Sequence, residues 1–105
     1  MNDQSYDCLL TLALPADLEE EVLDHLAVHP EWVGGFSVTH AEGIGRGNLL
    51  RSTMEQVRGR SRRRLVQIVM KSEHAQALLD SLRQVFVTSE MAWWTSPING
   101  FGRFA

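Results

Sequence analysis

The sequence predicts an α+β fold of the ferredoxin-like type, βαββαβ, with a four-stranded antiparallel sheet and both helices on one face. Three observations carry this expectation. Four segments alternate in polarity with the period of a strand, two others repeat apolar residues at helical spacing, and the six follow in the order strand, helix, strand, strand, helix, strand. A chain of 105 residues makes one domain, residues 1–105, with room for a single core.

The first strand runs from Cys8 to Leu14, with Cys8, Leu10, Leu12 and Leu14 on one side and Leu9, Thr11 and Ala13 on the other. Pro15 ends it. Asp17 then reads as a helix cap with Glu20 as its capping-box partner, and the acids Glu19 to Glu21 suit the positive end of a helix. Leu18, Val22, Leu23 and Leu26 form that helix's apolar stripe, and Pro30 stops it. After the pair Gly34-Gly35, Phe36 and Val38 alternate with Ser37, Thr39 and Ala41 as the second strand. A second glycine cluster, Gly43-Ile44-Gly45-Arg46-Gly47, follows, so this strand carries a glycine hinge at each end.

A basic loop is expected from about 44 to 64, its middle, Asn48 to Gly59, either mobile or extending the strands as a hairpin. It holds seven arginines against the single acid Glu55, close to +6 within a chain whose formal net charge is −3. The third strand, Leu65 to Lys71, places Val66, Ile68 and Met70 opposite Leu65, Gln67 and Val69. Ser72 is the expected cap of the second helix, where Ala75, Leu78, Leu79, Leu82, Val85 and Phe86 give the clearest helical period in the chain. The fourth strand, about Glu90 to Ile98, contains Trp93 and Trp94, whose indoles must point to opposite faces.

With both helices on one face, the other face of the sheet presents Leu9, Ala13, Leu65, Val69 and one tryptophan. An apolar face of that kind predicts a homo-oligomer that buries it. Cys8 is the one cysteine, which excludes an intramolecular disulfide and suits a reducing compartment. The apolar run Leu9 to Leu14 is too short to span a bilayer and has no positive flank, so a cytoplasmic protein without direct membrane insertion is expected.

Four groups of residues offer chemistry. Gly43, Gly45, Arg46 and Gly47 can bring backbone N–H groups and a guanidinium to a small anion; the plainer account is a flexible loop base. Arg58, Arg60, Arg62, Arg63 and Arg64 suit docking to an acidic protein surface. Nucleic acid is not expected, because no aromatic interleaves the run and the remainder of the chain, near −9, repels a polyanion. His25 and His29, four apart on the first helix, can share one metal ion, or simply pack at the helix edge. No set of residues reads as nucleophile, base and orienter, so no enzymatic activity is expected.

The run Gly35-Phe36-Ser37-Val38-Thr39-His40-Ala41-Glu42-Gly43-Ile44-Gly45-Arg46 resembles the second strand of the PII-like superfamily, which holds the PII nitrogen signalling proteins and the CutA divalent-cation tolerance proteins. The likeness extends from about Cys8 to Phe104. It implies a homotrimer with its sheets about the threefold axis and a T-loop-like segment at 44–64 that engages a target protein. The nearest likeness is to an uncharacterised proteobacterial group of small PII-like proteins, some of which accompany heavy-metal efflux systems, so a membrane transport or efflux system is one implied partner. PII proteins grip ATP with a glycine- and lysine-containing turn before the last strand, and Val87-Thr88-Ser89-Glu90 has neither, which argues against a PII-type nucleotide grip. The adjacent tryptophans are similar to the aromatic late strand of CutA. That likeness implies the alternative of a copper or other divalent-metal binding or tolerance protein.

Overall fold

The computed structural model describes residues 6–44 and 60–105. Strand β1 (Cys8–Pro15) leads through a short 3-10 turn (Ala16–Leu18) into helix α1 (Glu19–Ala27). Strands β2 (Ser37–Ile44) and β3 (Arg60–Met70) follow, then helix α2 (Ser72–Val85) and strand β4 (Ala92–Pro97). The four strands form one sheet in the order β2-β3-β1-β4, and every neighbouring pair is antiparallel. This is the ferredoxin-like arrangement, with β1 and β3 in the middle and β2 and β4 at the edges.

The core lies where the alternation places it. Leu10, Leu12 and Leu14 of β1 and Val66, Ile68 and Met70 of β3 are buried on the helix-covered face. Val22 and Leu26 of α1 and Ala75, Leu78, Leu79 and Leu82 of α2 close over them. Each fully buried leucine contributes on the order of 1.5–3 kcal/mol by leaving water. The apolar stripe of α2 ends earlier than its spacing suggests. Val85 is exposed, because the backbone leaves the helical region at the next residue, Phe86.

Both expected helix caps are corrected. Asp17 lies inside the 3-10 turn, and the residue before α1 is Leu18, which makes no side-chain capping bond. Pro15, at the end of β1, starts a tight turn that moves the helix entry one residue along. Before α2 the cap position is Lys71, and Ser72 is already helical. Its orphan donors are satisfied from across the sheet end: the Ser72 N–H donates to Asp7 Oδ1 at 2.8 Å and its hydroxyl to Asp7 Oδ2 at 3.2 Å.

The expected loop at 44–64 is also too long. β3 begins at Arg60 rather than Leu65, and β2 runs on through Gly43 to Ile44. The reason is register. His40, Ala41, Glu42, Gly43 and Ile44 pair in turn with Arg64, Arg63, Arg62, Ser61 and Arg60, so the arginine-rich segment is ladder backbone, with Arg63 on one face and Arg62 and Arg64 on the other.

Candidate functional site

Strand alternation divides the arginines. Arg64 points to the helix face, where its Nε donates to Glu19 Oε1 at 2.7 Å and ties β3 to the first turn of α1. Arg63 points to the other face and donates from a guanidinium nitrogen to the Glu90 carbonyl at 2.8 Å, crossing the end of β1 to reach the segment before β4. Arg62 is exposed on β3. Of the five arginines expected to meet a partner, Arg63 and Arg64 are therefore engaged inside the domain. Arg60 is described only as the first residue of β3, and Arg58 lies outside the described residues. Gly45, Arg46 and Gly47 also lie outside them.

Gly43 has a packing reason for having no side chain. A Cβ there would stand 2.9 Å from Arg63 Cγ and 3.0 Å from Ser61 Oγ, so the bare backbone makes the room through which the Arg63 stem passes.

The face away from the helices carries Leu9, Ala13, Leu65 and Val69, all half-buried. The pairing register shows which indole joins them. Trp94 pairs with Thr11 and lies on this open face, 48% exposed, whereas Trp93 pairs with Leu12 on the helix side. At one end of the open face, Phe36, Val69, Tyr6 and Phe101 line a cleft of about 320 Å³. Tyr6 and Phe101 meet edge to face at 5.0 Å, and the Arg103 guanidinium lies 5.6 Å from the Phe101 ring centre. On the helix side a second cleft, about 360 Å³, opens between α2 and β4, with Phe86, Met91 and Trp93 in its wall and Arg83 beside them.

The two histidines of α1 are brought together with α2. His25 Nε2 lies 2.8 Å and His29 Nε2 3.4 Å from the same atom, the Ser81 hydroxyl oxygen. Their ring centres are 5.0 Å apart, and Trp32 stacks on His29 at 4.7 Å. His29 Nδ1 stands 3.4 Å from Glu31 Oε2. Burial, and after it the neighbouring His29, hold His25 below the usual imidazole range. The Glu31 carboxyl is held low chiefly by a backbone hydrogen bond of its own; burial opposes this, and the neighbouring His29 lowers it a little further. Ser81, His29 and Glu31 share the connectivity of a hydrolase triad, yet both links measure 3.4 Å and the hydroxyl's closer partner is His25. Among the described residues no group of three or more His, Cys, Asp or Glu is placed to hold a metal ion. The spacing of His25 and His29 is readable in the sequence; Ser81, 56 residues from His25, is not.

Cys8 is buried at the start of β1, and burial followed by Asp7 raises its thiol pKa, so it is a packing residue. No described helix is long and apolar enough to cross a membrane.

Among solved structures, a DUF3240 family protein from Shewanella baltica superposes with a TM-score of 0.75 at 24% identity, covering 96% of this chain and 99% of that one. CPII of Thiomonas intermedia, a nitrogen regulatory PII-like protein bound to ADP, AMP and bicarbonate, gives 0.69 at 17% identity, covering 92% of this chain and 93% of its own. CutA of Synechococcus elongatus, complexed with Bis-Tris, gives 0.68 at 14% identity over 97% and 90%. No curated protein matches the sequence. The four-stranded sheet with its two helices is thus the fold of the PII-like proteins and CutA. Residues 4–105 match the model of DUF3240, a family described as a protein of unknown function, and the chain belongs to that family.

Proposed function

We propose that this protein is a PII-like regulatory homotrimer that contacts a target protein through the basic segment between β2 and β3 and senses a small anionic ligand at that segment's base. The observation that carries the reading is the open sheet face. Leu9, Ala13, Leu65 and Val69 are only half-buried there and Trp94 is about half exposed, a surface that association would cover. The fold shared with CPII supports the regulatory class, and the nucleotides and bicarbonate in that structure name ligands to try first. Gly43, Gly45, Arg46 and Gly47 are the proposed anion contacts, and Arg58, Arg60 and Arg62 the proposed partner contacts.

Light scattering tests the foundation. A trimer is expected at micromolar concentration, and Leu65→Asp combined with Val69→Asp should dissociate it; a native chain that is monomeric there overturns the reading. Calorimetry with ADP, AMP and bicarbonate tests the ligand, with Arg46→Ala expected to weaken whichever binds. Anisotropy with polyglutamate, at low and high salt, tests whether Arg58→Ala, Arg60→Ala and Arg62→Ala remove attraction for an acidic chain.

A further inference from the structure

His25 and His29 turn their rings toward one place between the helices. Both Nε2 atoms face one point, at 2.8 and 3.4 Å from Ser81 Oγ. A proton on His29 Nδ1, 3.4 Å from Glu31 Oε2, leaves the Nε2 lone pair turned toward Ser81. The serine has one proton to give. His25 Nε2–H donating to the Ser81 oxygen and the Ser81 hydroxyl donating to His29 Nε2 satisfy the set without metal; in the other His25 tautomer both nitrogens present lone pairs, and a cation between the rings takes both.

We propose that His25 and His29, through Nε2 atoms converging beside Ser81, form a two-imidazole site for a divalent transition-metal ion of the copper or zinc class. The ring spacing fits. Two imidazoles bound through nitrogen at about 2.05 Å to one tetrahedral ion have centres roughly 5 Å apart. The observed separation is 5.0 Å, with the rings tilted by 47°. Positions i and i+4 on a helix hold both rings on one face without backbone strain. The Glu31–His29 contact is the outer-shell carboxylate that orients a ligating imidazole. Two protein nitrogens leave the remaining positions to the Ser81 oxygen, water or a small anion, and the His29 side chain, 23% exposed, leaves a way in from solvent. The site lies within one chain, so it stands or falls separately from the proposed trimer.

Calorimetric titration of the full chain with Cu(II) and with Zn(II) is the test. One ion per chain is expected, with His25→Gln and His29→Gln each weakening binding by at least about tenfold, and Glu31→Gln by about tenfold. Glutamine keeps a hydrogen-bonding group near Ser81, and circular dichroism checks that each variant is folded. In the native chain, Cu(II) should broaden NMR signals of His25, His29 and Ser81 first. No binding at millimolar metal, binding unchanged in the His25→Gln, His29→Gln double variant, or broadening centred on His40 or His74 would each overturn the proposal.

Discussion

Gly43 gives a prediction whose size follows from the structure. In Gly43→Ala the new methyl meets Arg63 Cγ at 2.9 Å, Ser61 Oγ at 3.0 Å and Arg63 Cδ at 3.1 Å. Carbon atoms pack best at about 3.5–4.0 Å, so something must move by about half an ångström or more. Ser61 is 4% exposed and has little space to give. Arg63 is tethered through its guanidinium to the Glu90 carbonyl, so shifting its stem stretches that bond. Overpacking of this kind costs about 1–3 kcal/mol. The reduced freedom of the unfolded alanine chain returns about 0.4–1 kcal/mol. A net loss of about 1–2 kcal/mol should lower the melting temperature by roughly 5–15 °C in a domain of this size. Gly35→Ala is the control, since a Cβ there meets nothing within 4 Å. The assay is thermal melting of both variants, native and in an Arg63→Ala background at equal protein concentration. Gly43→Ala should be the damaging one, and most of its cost should vanish once Arg63 is gone. Equal melting of the two alanine variants, or a Gly43→Ala cost that Arg63→Ala leaves untouched, would refute the reasoning.

Two further predictions come from the described contacts. Asp7→Ala should cost about 1 kcal/mol by freeing the first-turn donors of α2, and amide exchange should quicken at Ser72 and its helical neighbours before anywhere else in that helix. Acid should weaken the fold partly through His25. Its folded pKa lies below its ordinary value of about 6.5, so the unfolded chain takes up the proton first. The penalty is absent above about pH 6.5 and grows as pH falls through that value toward the folded one. Denaturant melts across that range should decline less steeply for His25→Gln than for the native chain; parallel declines would remove His25 from the account.

What could be read from the sequence was whatever rests on local period. The alternation at Leu10, Leu12 and Leu14 and at Val66, Ile68 and Met70 identifies the two central strands, and all six residues are buried. The spacing of Leu78, Leu79 and Leu82 identifies α2 in the same way. Contacts between distant segments were not legible. Asp7 reaches Ser72 across 65 positions and His25 reaches Ser81 across 56, and no local pattern marks either pair. The misplaced cap at Asp17 has a different cause: capping preference describes a helix entered from extended chain, and Pro15 leads instead into a 3-10 turn.

The arginine-rich segment shows why composition and placement part company. A run as basic as Arg60 to Arg64 reads as a solvated loop because charges seldom line a strand that is covered on one face. Here each charge next to the body has a specific acceptor. Arg64 takes the Glu19 carboxylate on the helix side, and Arg63 takes the Glu90 carbonyl on the open side, so two adjacent residues brace β3 on both faces of the sheet at the end of β1. The ladder with β2 then carries this braced strand out to Arg60, where Ile44 pairs with it. The basic segment that joins them therefore starts from two paired strand ends. That narrows the proposed partner contacts: Arg63 and Arg64 hold the launch point in place, so a partner docking on the basic segment, as proposed, would use Arg62 and the arginines beyond it.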